Sequence, residues 1–351
     1  MKYTIFGESH GPAIGVVLQD LPSGIPFDGD FIAAELARRA TGKNPLSTAR
    51  KEADRVEVLS GLFNGRTTGT PLAMMIRNGD QHSKDYENIK DLARPGHADY
   101  TGFVRYSGNN DHRGGGHFSG RLTAPLVAAG ALAKLALMEK GVSVAAHIAS
   151  IGGIPDAPVD PVRPDMETLI ACGKKPFPVL SDAAGEAMQA LILSCREESD
   201  SVGGIIECLV TGLPAGLGAP DFDRNAETAF ARALFAVPAV KGIEFGDGFS
   251  LAGMRGSEAN DPFRMEGDVI RTTSNHNGGI LGGITNGMPI LFRAAIKPTP
   301  SIAREQETVN FRRGENAPIT ISGRHDPCIV HRAVPVVEAA AALAATELLG
   351  L

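Results

Sequence analysis

Glycine is the residue that most constrains this chain, because it fills 42 of 351 positions and clusters in short polar segments. No G-X-Y period runs through the sequence, which excludes a collagen-like triple helix. Hydrophobic residues make up 43% of the chain, too many for bulk disorder, but aromatic residues make up only 5%. The core must therefore be built from aliphatic side chains, alanine and close backbone contacts at glycine.

Charge, cysteine spacing and hydropathy restrict the class of protein. The net charge of -6 does not suit a chain that binds nucleic acid. The four cysteines are far apart and form no C-x-x-C pair, which argues against structural zinc and for reduced thiols. The most apolar helical stretch, 122–137, is interrupted by Lys134. We therefore expect a soluble, cytoplasmic protein with no metal ion and no contact with membranes.

Apolar periodicity predicts helices and strands without strict βαβ alternation. Ser181 is expected to cap its helix and Pro335 to open the last one. Helices are expected at 30–40, 122–140, 181–198, 224–235 and 335–349, and strands at 56–61, 71–76, 142–151, 204–213, 249–254 and 288–296. The pattern predicts an α+β fold with antiparallel-rich sheets packed on long alanine-rich helices.

The segment 155–178 holds six prolines and is the best linker candidate. Glycine-rich polar motifs lie on both sides of it, so one site could draw on both parts of the chain. We therefore expect a single domain over 1–351, with a proline-rich internal connection near 152–180.

The segment 7–11, G-E-S-H-G, matches the G-x-S-x-G pattern of a hydrolase nucleophile elbow. An elbow needs a helix after the serine, whereas the apolar run 16–18 predicts a strand. The motif alone favours a tight turn with a polar tip, although Ser9 and His10 between glycines also suit an exposed acid/base pair.

Six lysines and arginines lie between residues 38 and 55, among them Arg39 and Arg50, with only Glu52 and Asp54 interspersed. Cations in the last turn of a helix favour its dipole, so a solvated helix end explains part of this cluster. Guanidinium groups also match phosphate and carboxylate. In an acidic protein, such a patch indicates a small anionic substrate more than a polynucleotide.

Two further polar segments are R-P-G-H-A-D-Y at 94–100 and D-H-R-G-G-G-H-F-S-G-R at 111–121. Three successive glycines before a helix can present backbone N–H groups to an anion, and a flexible loop is the alternative. His97 suits acid/base chemistry or a structural hydrogen bond. The spacing of the histidines and Asp111 fits no strong zinc template.

Three segments in the last third of the chain are also rich in glycine or polar side chains. S-N-H-N-G-G-I-L-G-G at 274–283 is not a dinucleotide fingerprint, and it suits either a backbone approach to a flat ligand or a bulged loop. K-P-T-P-S at 297–301 could hold a phosphate, or its prolines could simply mark the end of an edge strand. G-R-H-D-P-C at 323–328 suits acid/base work beside an anion, or surface ion pairing.

In their order along the whole chain, these segments resemble the chorismate synthase family. The matching segments are F-G-E-S-H-G-P at 6–12, L-P-S-G-I-P at 21–26, V-L-S-G at 58–61, T-T-G-T-P at 67–71, R-P-G-H-A-D-Y at 94–100, R-G-G-G at 113–116, P-A-G-L-G at 214–218, V-K-G-I-E-F-G-D-G-F at 240–249, S-N-H-N-G-G-I-L-G-G at 274–283, K-P-T-P-S-I at 297–302 and G-R-H-D-P-C at 323–328.

The resemblance implies the 1,4-anti elimination of phosphate from 5-enolpyruvylshikimate 3-phosphate to give chorismate, the last step of the shikimate pathway. It implies a requirement for reduced FMN without net redox change, and leaves open whether the flavin is reduced by NADPH on this chain or by an external flavin reductase. It also implies a homotetramer and a β-α-β sandwich with helices packed between outer antiparallel-rich sheets.

The resemblance assigns site residues by their match to family motifs. His10 matches the donor of a proton to the departing phosphate, His97 the histidine beside the flavin, and Asp326 the carboxylate that assists removal of the substrate proton, while Ser9 supports His10. Substrate contacts fall on Arg39, Arg50 and His10. FMN contacts fall on His117, Phe118, Ser119, Ala239, Gly282, Lys297, Pro298, Thr299, Pro300, Ser301 and Arg324.

The chain departs from the family pattern at several positions near these contacts. The segment 117–123 is H-F-S-G-R-L-T where the family usually has R-S-S-A-R-E-T, and Leu126, Pro45 and Pro238 replace polar residues. Two other functions therefore stay open at this point: a serine hydrolase that uses Ser9, and a flavin- or anion-binding module without turnover.

Overall fold

The computed structural model describes residues 1–42, 46, 54–79, 90–321 and 326–351. Its helices are α1 (Gly29–Arg39), α2 (Asp99–Arg105), α3 (Thr123–Met138), α4 (Met166–Gly173), α5 (Asp182–Glu197), α6 (Ala226–Phe235), α7 (Gly256–Ala259) and α8 (Val330–Leu348). Short 3-10 helices cover Arg113–Phe118, Gly120–Leu122 and Gly248–Gly253.

The strands of the described residues are β1 (Lys2–Gly7), β2 (Ala13–Gln19), β3 (Val56–Ser60), β4 (Leu62–Phe63), β5 (Arg66–Thr67), β6 (Leu72–Arg77), β7 (Ser143–Ile151), β8 (Ile154–Pro155), β9 (Gly204–Thr211), β10 (Val240–Phe245), β11 (Phe263–Glu266), β12 (Val269–Thr272), β13 (Ile280–Leu281), β14 (Ile284–Thr285), β15 (Ile290–Ile296), β16 (Gln306–Asn310) and β17 (Glu315–Ile319).

These strands form antiparallel sheets of different size. A four-stranded sheet has the order β1-β2-β6-β3, and a five-stranded sheet has the order β10-β15-β9-β7-β8. Four hairpins pair β4 with β5, β11 with β12, β13 with β14, and β16 with β17. The prediction of a mixed fold with several antiparallel sheets is therefore confirmed.

Two alanine-rich helices pack against each other and each contacts a large sheet. α3 contacts β1, β2 and β6 of the four-stranded sheet and also β7, and α8 contacts β7 and β9 of the five-stranded sheet. The helices approach closely because Gly130 of α3 faces Ala339 of α8, and a Cβ atom on Gly130 would overlap Ala339. The stretch Gly120–Met138 has the length and hydropathy of a membrane span, but 83% of its most apolar window is buried, as in the core helix of a soluble protein.

The lysine that interrupts this apolar helix is buried in a cluster of ion pairs. Lys134 contacts the carboxylates of Glu35 on α1 and Glu338 on α8, and Arg38 lies 2.6 Å from the Glu338 carboxylate. Burial alone would raise the pKa of Glu338, but Lys134 and Arg38 outweigh it and lower that pKa. The cluster ties three helices together inside the core.

The proline-rich segment carries structure of its own. It contains the end of β8 and helix α4, whose Leu169 packs with Ala145, Leu209 and Leu291 of the five-stranded sheet. Successive side chains of a strand point to opposite faces, so this contact lies on the face turned away from the main core.

Two of the predicted elements differ in the structure. The predicted strand 249–254 is wrong, because Gly248–Gly253 forms a 3-10 helix whose Phe249 N–H donates to the Glu244 carboxylate at 3.1 Å. The last helix begins at Val330, so Pro335 lies in its second turn and not at its start. The Ser181 cap is confirmed, since its side chain accepts a hydrogen bond from Ala184 N.

Candidate functional site

The turn with Ser9 and His10 connects β1 to β2, so a strand and not a helix follows the serine. This connection does not have the geometry of a nucleophile elbow. Ser9 is fully buried, its N–H donates to Gly116 O at 3.1 Å, and its hydroxyl has no hydrogen-bond partner among the described residues. Ser9 and His10 are therefore not an exposed acid/base pair.

The triple glycine brings the two predicted catalytic histidines to one loop. All three of its residues have positive φ, between 54° and 82°, a conformation that strongly favours glycine. A Cβ atom on Gly114 would overlap the His10 ring, and one on Gly115 would lie 3.2 Å from Nε2 of His97. His10 and His97 therefore pack against successive residues of the same loop.

His97 is held by a buried ion pair. Its Nδ1 lies 2.9 Å from Oδ1 of Asp99, and Arg94 lies 2.7 Å from the same carboxylate. Burial would raise the pKa of Asp99, but hydrogen bonds from Arg94 and His97 outweigh it and lower that pKa below its usual range. Arg94 Nη2 also lies 3.0 Å from His97 Nδ1, so a carboxylate and a guanidinium both hold this nitrogen, while Cε1 and Nε2 of the ring face Gly115.

The turn 297–301 packs against the loop that carries His97. Lys297 Nζ donates to the Gly96 carbonyl, and Arg94 Nη1 lies 3.5 Å from Ser301 Oγ. Lys297 N–H donates to Ala239 O at 3.0 Å, and Ala239 has an unusual φ of 73° for a residue with a side chain. Lys297 and Ser301 therefore contact the loop that carries His97, and Ala239 contacts it through Lys297.

Arg39 lies in a cluster of cationic side chains around Asp54, which includes residues that the sequence did not single out. Its Nη2 lies 2.8 Å from Oδ2 of Asp54, and Arg121 pairs with the other oxygen of that carboxylate. Burial would raise the pKa of Asp54, but Arg39 and Arg121 together lower it. Arg121 also donates from Nε to Oδ1 of Asn78 at 3.2 Å. Only the recurrence of arginine in the segment 111–121 hinted at Arg121.

Asp326 is anchored next to this cluster. Its carboxylate pairs with Arg332, whose Nε donates to the Arg39 carbonyl at 3.0 Å. The adjacent Pro327 carbonyl accepts from Val202 N at 2.9 Å. The neighbouring Ser201 Oγ donates to the Thr299 carbonyl at 2.7 Å. These contacts place the chain around Asp326 between Arg39 and the turn 297–301.

Other predicted contacts have local roles in the structure. His117 Nδ1 lies 2.9 Å from the Gly7 carbonyl, and Ser119 Oγ accepts from Arg121 N at 3.2 Å. The Phe118 ring packs against Gly102 of α2. Gly282 lies in the two-residue turn of the β13–β14 hairpin, where its φ of 62° matches a type I′ turn.

Several predicted contacts are not brought to His10 and His97, or are not described. No described contact joins Gly282 to either histidine. Arg50 and Arg324, which were predicted to bind substrate and FMN, lie outside the described residues, as do Lys43, Pro45 and Lys51 near Arg50.

Comparison with known proteins identifies the family. The family model described as "Chorismate synthase" matches residues 1–349. The chain belongs to the chorismate synthase family. It is 50% identical to the chorismate synthase of Methanosarcina acetivorans, over 99% of this chain and 93% of the relative. It is also 50% identical to that of Methanocella arvoryzae, over 97% of this chain and 90% of the relative.

A solved structure of the same family is also similar to this chain. A structure named "Crystal Structure of Chorismate Synthase" covers 99% of this chain and 91% of its own, with 29% identity and a TM-score of 0.75. The resemblance deduced from the motifs is confirmed, and the chain is a lyase with chorismate synthase function.

Proposed function

We propose that this chain converts 5-enolpyruvylshikimate 3-phosphate to chorismate by 1,4-anti elimination, with reduced FMN bound. The C–O bond to phosphate breaks, a ring hydrogen is lost and a new C=C bond forms. The observation that carries the proposal is the packing of His10 and His97 on the same glycine loop, together with the ion pairs of Arg94 with Asp99 and of Arg39 and Arg121 with Asp54.

His10 is the proposed donor of a proton to the departing phosphate. Its ring is almost fully buried against Gly114, and Arg39 and Arg121 are the guanidinium groups of the neighbouring network. A phosphate leaving group needs neutralisation as negative charge develops on it, which guanidinium groups provide at fixed positions. The buried Ser9 hydroxyl, beside His10, offers one further donor.

The residues of the turn 297–301 fit a flavin phosphate. Thr299 Oγ1 is buried and has no hydrogen-bond partner among the described residues, so a phosphate oxygen would satisfy it. Lys297 and Ser301 of the same turn supply a cation and a hydroxyl. When bound, the reduced flavin supplies transient electron donation without net oxidation or reduction.

Two residues are assigned to proton handling on the cofactor side. Asp99 and Arg94 hold the His97 ring against Gly115, so this ring can carry a proton at a fixed place. Asp326, held by Arg332, is the carboxylate that we assign to removal of the ring hydrogen.

We extend the proposal to the architecture and the assembly. The helix pair α3–α8 would be the middle layer of a β-α-β sandwich, within one domain over 1–351. A cytoplasmic homotetramer is proposed, and FMN would be reduced either by NADPH on this chain or by an external reductase. The hairpin β11–β12 supports self-association, because Phe263, Met265, Val269 and Ile270 each expose more than half of their surface.

Anaerobic turnover with reduced FMN and the enolpyruvyl substrate tests the proposal. Chorismate should form, and His10→Ala and His97→Ala should each lower kcat by about 10²–10⁴, the usual effect of losing an acid or base. Folded wild-type protein that makes no chorismate would exclude the reaction. Full activity of either variant would exclude the role of that histidine.

The same preparation distinguishes the two alternatives. A serine hydrolase would be labelled at Ser9 by a fluorophosphonate probe, which the burial of that hydroxyl disfavours. A binding module would bind FMN and give no turnover. This outcome is included because the segment 117–123 departs from the family pattern.

A further inference from the structure

Asn78, directly after β6, holds the turn that carries Ser9 and His10, although no motif singled it out. Its side-chain Nδ2 donates to the carbonyl oxygens of Glu8, at 3.0 Å, and Gly11, at 2.9 Å. Its backbone N–H donates to the Pro12 carbonyl at 3.2 Å. These three bonds fix the turn on both sides of His10.

The other end of the same amide faces the cationic cluster. Oδ1 of Asn78 accepts from Arg121 Nε at 3.2 Å, and Arg121 pairs with Asp54, which lies 2.8 Å from Arg39. Carbonyl oxygens only accept and guanidinium groups only donate, so these partners fix the orientation of the amide. One side chain therefore connects the turn of His10 to the proposed substrate arginine.

We propose that Asn78 is a positioning residue for the elimination. It fixes the Ser9–His10 turn against the glycine loop, so that His10 stays in place while the substrate anion is held near Arg39 and Arg121. The inference rests on the proposed role of His10, and Asn78 itself does not touch the substrate.

The substitution Asn78→Asp tests the donor end of the amide separately from its acceptor end. Aspartate keeps an acceptor for Arg121 but loses both donors to the turn. We expect kcat to fall by about 10–100-fold, because a misplacement of about 1 Å can cost about 10²-fold. KM for the enolpyruvyl substrate should rise by less than kcat falls, because Arg39 and Arg121 keep their partners although the new carboxylate adds a negative charge beside Arg121.

Asn109→Asp is the matched control. The Asn109 side chain also donates to two backbone carbonyls, those of Tyr106 at 3.2 Å and Ser107 at 3.3 Å, but at an exposed loop. It should retain wild-type kcat and KM. A wild-type kcat in Asn78→Asp, or an equal loss in both variants, would overturn the inference.

A double-mutant cycle shows whether Asn78 acts through His10. The variant Asn78→Asp/His10→Ala should turn over within about threefold of His10→Ala alone, because the positioned group is already gone. Losses that multiply would mean an independent, merely structural role. Undiminished activity of His10→Ala would instead overturn the proposed role of His10 and, with it, the catalytic part of this inference.

Hydrogen exchange reports on the turn without any turnover. Backbone amides of residues 7–11 should exchange faster in Asn78→Asp than in wild type and in Asn109→Asp. Unchanged exchange across this segment would refute the positioning role whatever the kinetics show.

Discussion

Glycine is required in the segment 114–116 for two reasons, backbone conformation and space. The positive φ values of these residues favour glycine, and the space above Gly114 and Gly115 is occupied by His10 and His97. Gly282 differs, because its turn explains the glycine and an added Cβ would meet no atom within 4 Å. A glycine cluster in the sequence therefore does not by itself mark a ligand site.

Gly114→Ala should lower kcat by about 10²-fold, because the new Cβ strains a left-handed backbone and displaces the His10 ring. Anaerobic kinetics at matched folded concentration is the measurement. Gly120→Ala is the control: Gly120 has no positive φ, and no atom lies within 4 Å of an added Cβ. Full turnover in Gly114→Ala would contradict the close packing of His10 on this loop.

Among the secondary-structure elements, β7 carries a buried charge on the face away from the main core. His147 of β7 is 1% exposed and lies 3.0 Å from Asp156 and 3.3 Å from Glu207. Burial lowers the pKa of His147, but hydrogen bonds to Asp156 and Glu207 outweigh it and raise that pKa to about 9. Asp156 also accepts from the backbone N–H groups of Leu180 and Ser181, so this cluster anchors the proline-rich segment.

Protein stability should therefore fall in alkaline solution. Because the pKa of His147 is raised in the folded state, its contribution to the free energy of unfolding is complete below the ordinary pKa of 6.5. That contribution is lost as pH rises through about 9. The contribution is about 3 kcal/mol, from about 1.4 kcal/mol per pKa unit. Denaturant unfolding from pH 6 to 10 should show this loss in wild type, and His147→Gln should lack it. Parallel curves for the two proteins would contradict the assignment.

At the scale of the whole molecule, one buried cluster links elements that are far apart in the sequence: Glu35, Arg38, Lys134 and Glu338. Its members come from α1, α3 and α8, and Glu338 also accepts from Ala146 N of β7 at 3.0 Å. A buried ion cluster is stable only while its charges are balanced and hydrogen-bonded. This one joins the helices that contact the two large sheets.

Lys134→Met should lower the free energy of unfolding by about 3–5 kcal/mol, because two buried carboxylates would be left with Arg38 as their remaining cation in the cluster. Denaturant titration at neutral pH measures it. Lys140→Met, an exposed lysine just beyond the same helix, should change stability by less than about 0.5 kcal/mol. Similar effects of the two substitutions would refute the structural role of the cluster.

Local sequence determined much of this protein. Alternating and helical periodicities predicted β7, β9, β15 and the long helices, and Ser181 marked the start of α5, because these signals act between neighbouring residues. The same signals wrongly predicted a strand at 249–254, where the chain forms a 3-10 helix. They also placed the start of the last helix at Pro335, which lies in its second turn. The ordered motifs identified the family, and the proposed roles of His10, His97 and Asp326 rest on the same motifs.

Tertiary structure alone decided how these residues meet. Asn78 and Arg121 are 43 positions apart, and Arg39 and Arg332 are 293 apart, so their contacts leave no periodic signal in the sequence. The burial of Ser9 and of Lys134 was likewise invisible, since burial depends on which elements pack together and not on the residue itself. The sequence named the chemical groups, and packing between distant segments determined which of them share a site.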